Sequence, residues 1–128
     1  MHDIRVVVIS GVFTLLTFGF GLPLALGKVR RNRWFGFKLN TYIINDDDIW
    51  YAVNRVGGRI LVASSPLFLT VAVIAAVYMG NHGVQTALLF ITLGLILAMI
   101  VYSFARTLRL SYRMADEKGL RHPSSRPD

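Results

Sequence analysis

Between two apolar segments of membrane length lies one polar stretch, residues 28–59, that holds seven basic side chains, three consecutive aspartates and both tryptophans of the chain. Several chemistries compete for it. Asp46, Asp47 and Asp48 invite a metal ion. Neighbouring helical positions point about 100° apart, however, so three adjacent carboxylates do not converge on one cation. With Asn45 ahead of them they read instead as a helix start, in which the amide caps free N–H groups and the carboxylates face the positive end of the helix dipole. Arg33, Trp34, Phe35, Phe37 and Lys38 alternate basic and aromatic residues around Gly36. In a soluble protein that pattern stacks nucleic-acid bases. Beside a membrane segment it predicts an interfacial belt, with rings at head-group depth and cations on anionic lipid phosphates, and no nucleic-acid partner.

Other reactive side chains are scattered. His2, His82 and His122 fall at a terminus, in a turn and in the tail, which argues against a shared metal site. The chain contains no cysteine, so thiolate ligands and disulfides are excluded. It also lacks a nucleophile elbow, a phosphate-binding glycine loop and a paired-carboxylate arrangement. The expectation is a non-enzymatic protein with no catalytic residues, no metal and no cofactor.

The elements that must hold the polar stretch are membrane helices. The 128 residues are 54% hydrophobic, with a mean hydropathy of +0.52, a balance that points to the bilayer as solvent. Segments 6–26, 60–79 and 84–105 carry no charged residue. Each is long enough, at about 1.5 Å per residue, to cross a hydrocarbon core of roughly 30 Å. The last two are separated only by Gly80, Asn81, His82 and Gly83, which predicts an antiparallel hairpin. Ala25-Leu26-Gly27 resembles a signal-peptidase site, but the apolar run is too long for a signal and is followed at once by Lys28, Arg30, Arg31 and Arg33. The fold class is therefore all-α: an integral membrane protein of three transmembrane helices, with a membrane domain over 1–110, a polar loop over 27–59 and a flexible basic tail over 111–128.

Orientation follows from lysine and arginine. The loop and the tail, with Arg106, Arg109, Arg113, Lys118, Arg121 and Arg126, lie on one side if there are three spans. The net charge of +7 is concentrated there. The positive-inside rule makes that side the cytoplasm of a cell-membrane protein whose amino terminus is outside.

Within the loop, Ile49, Trp50, Val53 and Val56 recur at helical spacing, with Asn54 and Arg55 off that face. This predicts a short amphipathic helix over 46–55, lying along the membrane surface and ended or hinged by Gly57-Gly58. In the spans, Ala72, Ala76 and Gly80, and then Gly94 and Ala98, recur every four residues and predict the close-packing faces. Pro66 removes a hydrogen bond to the Val62 carbonyl, and Ser64 and Ser65 stand near enough to serve the freed group. No Asp, Glu, Lys, Arg or His lies within a span, which argues against a pump or an ion-coupled carrier.

The run from Asn32 through Trp34 and Gly36 to Lys38, followed by Thr41, Asp47 to Trp50, and Asn54-Arg55 to Gly58, resembles the signature of the SdpI family of small bacterial membrane proteins. That signature reads roughly Asn-x-x-x-Gly-x-Arg, a threonine, a tryptophan and His-Arg-x-x-Gly, and the resemblance extends over residues 28–105. Two positions depart from it. Lys38 stands where arginine is usual, replacing a bidentate fork by a point charge, and Asn54 stands where histidine is common, removing a titratable group. The resemblance implies that Asn32, Trp34, Gly36, Lys38, Thr41, Trp50, Asn54, Arg55 and Gly58 form a motif that binds a partner. It also implies protection of a producing cell against a secreted killing peptide, with capture of a repressor at the membrane.

Three functions remain open on the sequence. The first is toxin immunity or envelope-stress protection, with the loop binding a protein partner or anionic lipid. The second is an accessory subunit of a larger membrane complex or a homo-oligomer, assembled through small-residue faces. The third is an enzyme of lipid head groups.

Overall fold

The computed structural model describes residues 4–32, 36, 38 and 40–119. Four helices follow one another: α1 (Arg5–Ala25), α2 (Thr41–Asn45), α3 (Asp47–Val77) and α4 (His82–Glu117). Three of them, α1, α3 and α4, are long and apolar enough to cross a membrane. Their outward faces carry Leu15, Phe18, Leu67, Val77, Phe90 and Leu97, all exposed, as lipid contact requires.

With 31 and 36 residues, α3 and α4 exceed the roughly 20 residues that a span needs. Because they are antiparallel neighbours, the surplus lies at one end: the first third of α3 stands beside the last third of α4. The polar end of the molecule is therefore helical and layered. The tail expected to be flexible from 111 is helical as far as Glu117, and Ser111 and Ala115 are buried. Residues 120–128 lie outside the described residues.

The separate surface helix expected over 46–55 does not form. Its residues are the first turns of α3, which runs without a break through Gly57 and Gly58. Gly57 and Gly58 therefore neither end nor hinge a helix. A Cβ on Gly58 would collide with the Ala25 amide nitrogen and lie 2.6 Å from the Gly21 carbonyl oxygen. A Cβ on Gly21 would lie 2.7 Å from the Leu61 Cβ. The glycines permit α1 and α3 to cross at backbone distance, a use of glycine that local sequence cannot distinguish from a turn. The short helix that the loop does contain is α2, capped by the Asn40 side chain, whose Oδ1 accepts from the Ile43 amide at 3.1 Å.

Gly27 ends α1. Its φ of +69° and the bonds Gly27 N to Leu24 O and Lys28 N to Pro23 O form a Schellman cap. Further along α3, the Val62 carbonyl freed by Pro66 accepts the Ser65 hydroxyl at 2.8 Å, as the sequence suggested, and Ser64 bonds the Ile60 carbonyl. The proline is thereby tolerated in a medium that offers no water to an orphaned carbonyl.

Of the expected small-residue faces only Ala72 packs inside the chain. Ala76, Gly80, Gly94 and Ala98 are exposed, whereas Phe68, Val71, Ala72 and Ala75 form the inner face of α3. On α4 the buried stripe is Thr92, then Ser103, Thr107, Ser111 and Ala115 at four-residue spacing. Hydroxyls serve as small residues here because each bonds to its own helix: Thr92 to the Leu88 carbonyl and Thr107 to the Ser103 carbonyl, both at 2.7 Å.

Candidate functional site at the polar end of the helices

The start of α3 is fixed by Asp46, whose Oδ1 accepts from the Ile49 amide at 3.1 Å. The cap is thus Asp46, one residue later than the expected Asn45. Four residues on, Trp50 is fully buried with Ile43, Ile49, Val53 and Ala115, so this face of α3 packs inside the protein and does not lie on the membrane surface. Burial of an indole is favourable only when its N–H keeps a partner, and Trp50 Nε1 donates to the Val29 carbonyl at 3.1 Å. That bond ties the chain leaving α1 to α3.

Gly36 closes over this tryptophan. It has a φ of +116°, and a Cβ there would lie 2.6 Å from Asn54 Oδ1 and about 3.0 Å from Trp50 Cη2. Both the backbone conformation and the clearance demand glycine. Asn54, expected off the buried face, is 2% exposed and donates from Nδ2 to the Trp50 carbonyl at 2.9 Å. Gly36, Trp50 and Asn54 are therefore a scaffold.

The residues that face solvent are others. A cleft of about 480 Å³ is lined by Arg31, Asn32, Lys38, Ile44 and Asn45. Asn32 is oriented by donating from Nδ2 to the Arg30 carbonyl at 2.7 Å, and Arg31 Nε lies 3.3 Å from Asp47 Oδ1. Lys38 and Asn32, half-buried at this rim, supply N–H donors and one positive charge to whatever enters. Arg55 is exposed, its guanidinium near Gly27, and Gly58 lies at the α1–α3 crossing. Trp34 falls outside the described residues, as do Arg33, Phe35 and Phe37; Thr41 is the first residue of α2, and its side chain is also outside them. Of the nine motif residues, Asn32 and Lys38 form the cleft rim, Gly36, Trp50 and Asn54 its support, and Gly58 the helix crossing.

Asp46 and Asp48 converge on one ammonium group, and Asp47 points elsewhere. Asp47 pairs with Arg31, while Lys118 Nζ lies 2.9 Å from Asp46 and 2.8 Å from Asp48. Lys118 above all, then the Ile49 amide, holds the Asp46 carboxyl below the usual carboxylate range. In return Asp48 and then Asp46 hold the Lys118 ammonium above the usual lysine range. This clamp joins the start of α3 to the end of α4. A second tie runs from Asn40 Nδ2 to Ser111 Oγ at 2.8 Å. Neither Lys118 nor Asn40 was singled out from the sequence as a structural partner. For Asn40 a signal existed, a capping residue three positions before Ile43. For Lys118 none did, because its partners are some seventy residues away in the chain.

Three spans carrying a rigid helical cap at one end define a small multi-pass membrane protein with a cationic cleft in its polar cap. The chain belongs to the SdpI/YfhL protein family, whose model matches residues 28–103, more than half of its length. The matched stretch contains the cleft, its scaffold and most of the hairpin, and begins after α1. No curated protein and no solved structure matches significantly.

Proposed function

We propose that this protein is an immunity-type membrane protein that protects the cell envelope by engaging a protein partner through the Arg31–Asn32–Lys38 cleft. The observation that carries this reading is the division of labour in the motif. Its buried Trp50 and Asn54 support the cleft, and its half-buried Asn32 and Lys38 are hydrogen-bond donors that can recognise an anionic group or a backbone carbonyl. The cleft belongs on the cytoplasmic side of the cell membrane, with the amino terminus outside, because both basic segments lie at that end.

The test is survival of cells challenged with membrane-active killing peptides, comparing the wild-type chain with Asn32→Ala and Lys38→Gln at equal membrane abundance. Both variants should lose protection, and Lys28→Gln should keep it. Equal survival with and without the wild-type protein would remove this function.

A second reading, an accessory subunit of a larger complex, is favoured by the exposed stripe of Ala76, Gly80, Gly94 and Ala98. A Cβ added at Gly94 would meet nothing within 4 Å, which leaves room there for a further helix. Co-purification of another membrane protein at fixed stoichiometry, lost on Gly94→Leu, distinguishes it.

A further inference from the structure

Away from the motif cleft, on the side formed by α3 and α4, a groove runs from the polar end toward the middle of the spans. Its mouth, about 370 Å³, is lined by Val56, Leu110 and three arginines, Arg106, Arg109 and Arg113. These three lie three and four positions apart and so share one face of α4. Val56 and Arg106 also line the next compartment, about 440 Å³, where Arg59 joins them from α3 together with Ile60, Ser64, Leu67 and Tyr102. Ile60, Ser64, Leu67 and Tyr102 continue in turn into a smaller space of about 230 Å³ that Phe68, Leu95, Ala98 and Met99 close off with apolar side chains. The compartments share walls and form one groove, cationic at one end and apolar at the other.

Its depth is set by the sequence. Arg59 is the last charged residue before the apolar part of α3, and Arg106 is the first after the apolar part of α4. The cationic mouth therefore stands at the boundary between water and hydrocarbon, where phospholipid phosphates lie, and the apolar part lies at acyl-chain depth. The three aspartates at this end are taken up by Arg31 and Lys118. Among the described residues Arg59, Arg106 and Arg109 have no carboxylate partner, and Arg113 has only an exposed contact of 3.9 Å with Glu117. Arginine is the side chain suited to this task, since its fork matches phosphate oxygens in pairs and its stem lies along apolar surface.

We infer that the α3–α4 groove binds an anionic phospholipid, with the phosphate on Arg59, Arg106 and Arg109 and one acyl chain along Leu67, Leu95 and Ala98. The site is independent of the Arg31–Asn32–Lys38 cleft and does not rest on the function proposed for it. It makes the lipid a fitted ligand of the hairpin, beyond the general attraction of a basic surface for an anionic leaflet.

The test uses the full chain in nanodiscs of equal parts phosphatidylglycerol and phosphatidylcholine, released into neutral detergent and weighed by native mass spectrometry. Wild-type protein should retain phosphatidylglycerol over phosphatidylcholine by about tenfold, a ratio that one well-made charged contact can supply. Arg106→Gln with Arg109→Gln should abolish the preference, whereas Lys28→Gln with Arg30→Gln, an equal loss of charge at the other basic segment, should leave it intact. Ala98→Trp should reduce retained lipid while leaving every arginine in place, and inorganic phosphate alone should not displace it. An equal loss in both charge-removing pairs would reduce the site to nonspecific attraction. Full displacement by inorganic phosphate, or unchanged retention in Ala98→Trp, would equally overturn a lipid seated by its chain. Melting temperatures of all variants in the same detergent identify any that fail to fold, and Arg106→Lys with Arg109→Lys, which preserves charge and bulk, should recover part of the preference in a folded protein.

Discussion

The molecule has two cores, built by different physics. One lies at the polar end, where Ile43, Ile49, Trp50, Val53 and Ala115 come from α2, α3 and α4 and are all fully buried. The other lies toward the opposite ends of the spans, where Val6, Val71, Ala75 and Leu88 join α1, α3 and α4. In the first, large side chains are withdrawn from water, and the hydrophobic effect can act at roughly 25 cal/mol per Å². In the second, the alternative to packing is lipid as apolar as the side chains themselves, so contact and close approach must supply the attraction. The residues differ accordingly: an indole and two isoleucines in one core, alanine, valine and bonded hydroxyls around the other. Hydrogen bonds between distant segments occur in both: Trp50 to Val29 and Asn40 to Ser111 at the polar core, and at the inner core Gln85 Nε2 to the Ala75 carbonyl at 2.9 Å with a long Ser10–Thr92 contact of 3.4 Å.

The largest effect should come where the two regions meet. Gly58→Leu should prevent α1 from docking, because its side chain must occupy space held by the backbone of Ala25 and Gly21. Gly94→Leu, with nothing within 4 Å of its added Cβ, should leave the fold unchanged. Abundance in the membrane and resistance to protease compare the two, and equal tolerance would dissolve the crossing.

Next, Trp50→Ala should lower stability by roughly 3–5 kcal/mol, the usual cost of removing a buried aromatic. Phe68→Ala, in contact with Phe13 at a ring separation of 5.4 Å, should cost less, because its cavity can be met by lipid or by relaxation of a lipid-bathed helix. Unfolding in mixed micelles with a graded denaturing detergent ranks them. A larger cost for Phe68 would reverse the contrast.

The inner core can be sharpened one residue at a time. Ala75→Leu should destabilise by about 1–3 kcal/mol through overpacking, whereas Ala76→Leu, next in sequence but exposed, should be neutral in the isolated chain. If Ala76→Leu were the worse of the two, α3 would be rotated about its axis from the position described.

The smallest effect belongs to the clamp of Lys118 on Asp46 and Asp48. Since the Asp46 carboxyl is held below the usual range, its contribution is present above that range and is lost as pH falls through the lowered value. Since the Lys118 ammonium is held above its usual range, its contribution is present below that range and is lost as pH rises through the raised value. The partners are partly exposed, so the stabilisation is that of a screened surface pair. Amide protection factors in the last turn of α4, taken relative to the intrinsic exchange rate at each pH, should fall at both extremes of pH, and Asp46→Asn should remove most of the acid limb alone. Protection factors independent of pH and of Asp46 would show that the clamp holds nothing.

What the sequence determined is what depends on composition and on local chemistry. Three uncharged segments of sufficient length must be spans because lipid admits no unsatisfied backbone, and the four-residue link must make α3 and α4 a hairpin. Ser65 beside Pro66 and the aspartates at a helix start follow from neighbours in the chain alone. Tertiary structure decided which face of each helix is inner, and periodicity was a poor guide. In lipid an exposed alanine stripe and a buried one have the same composition, and only the path of α1 selects Ala72 and Ala75 over Ala76. It also decided what Gly58 does, since a glycine that permits a turn and one that permits a crossing are identical until the second helix arrives. Asn54 and Trp50 became scaffold, and Asn32 and Lys38 rim, because Val29, Gly36 and the end of α4 fold over one side of α3. That covering rests on contacts between residues far apart in the chain, which no local pattern encodes.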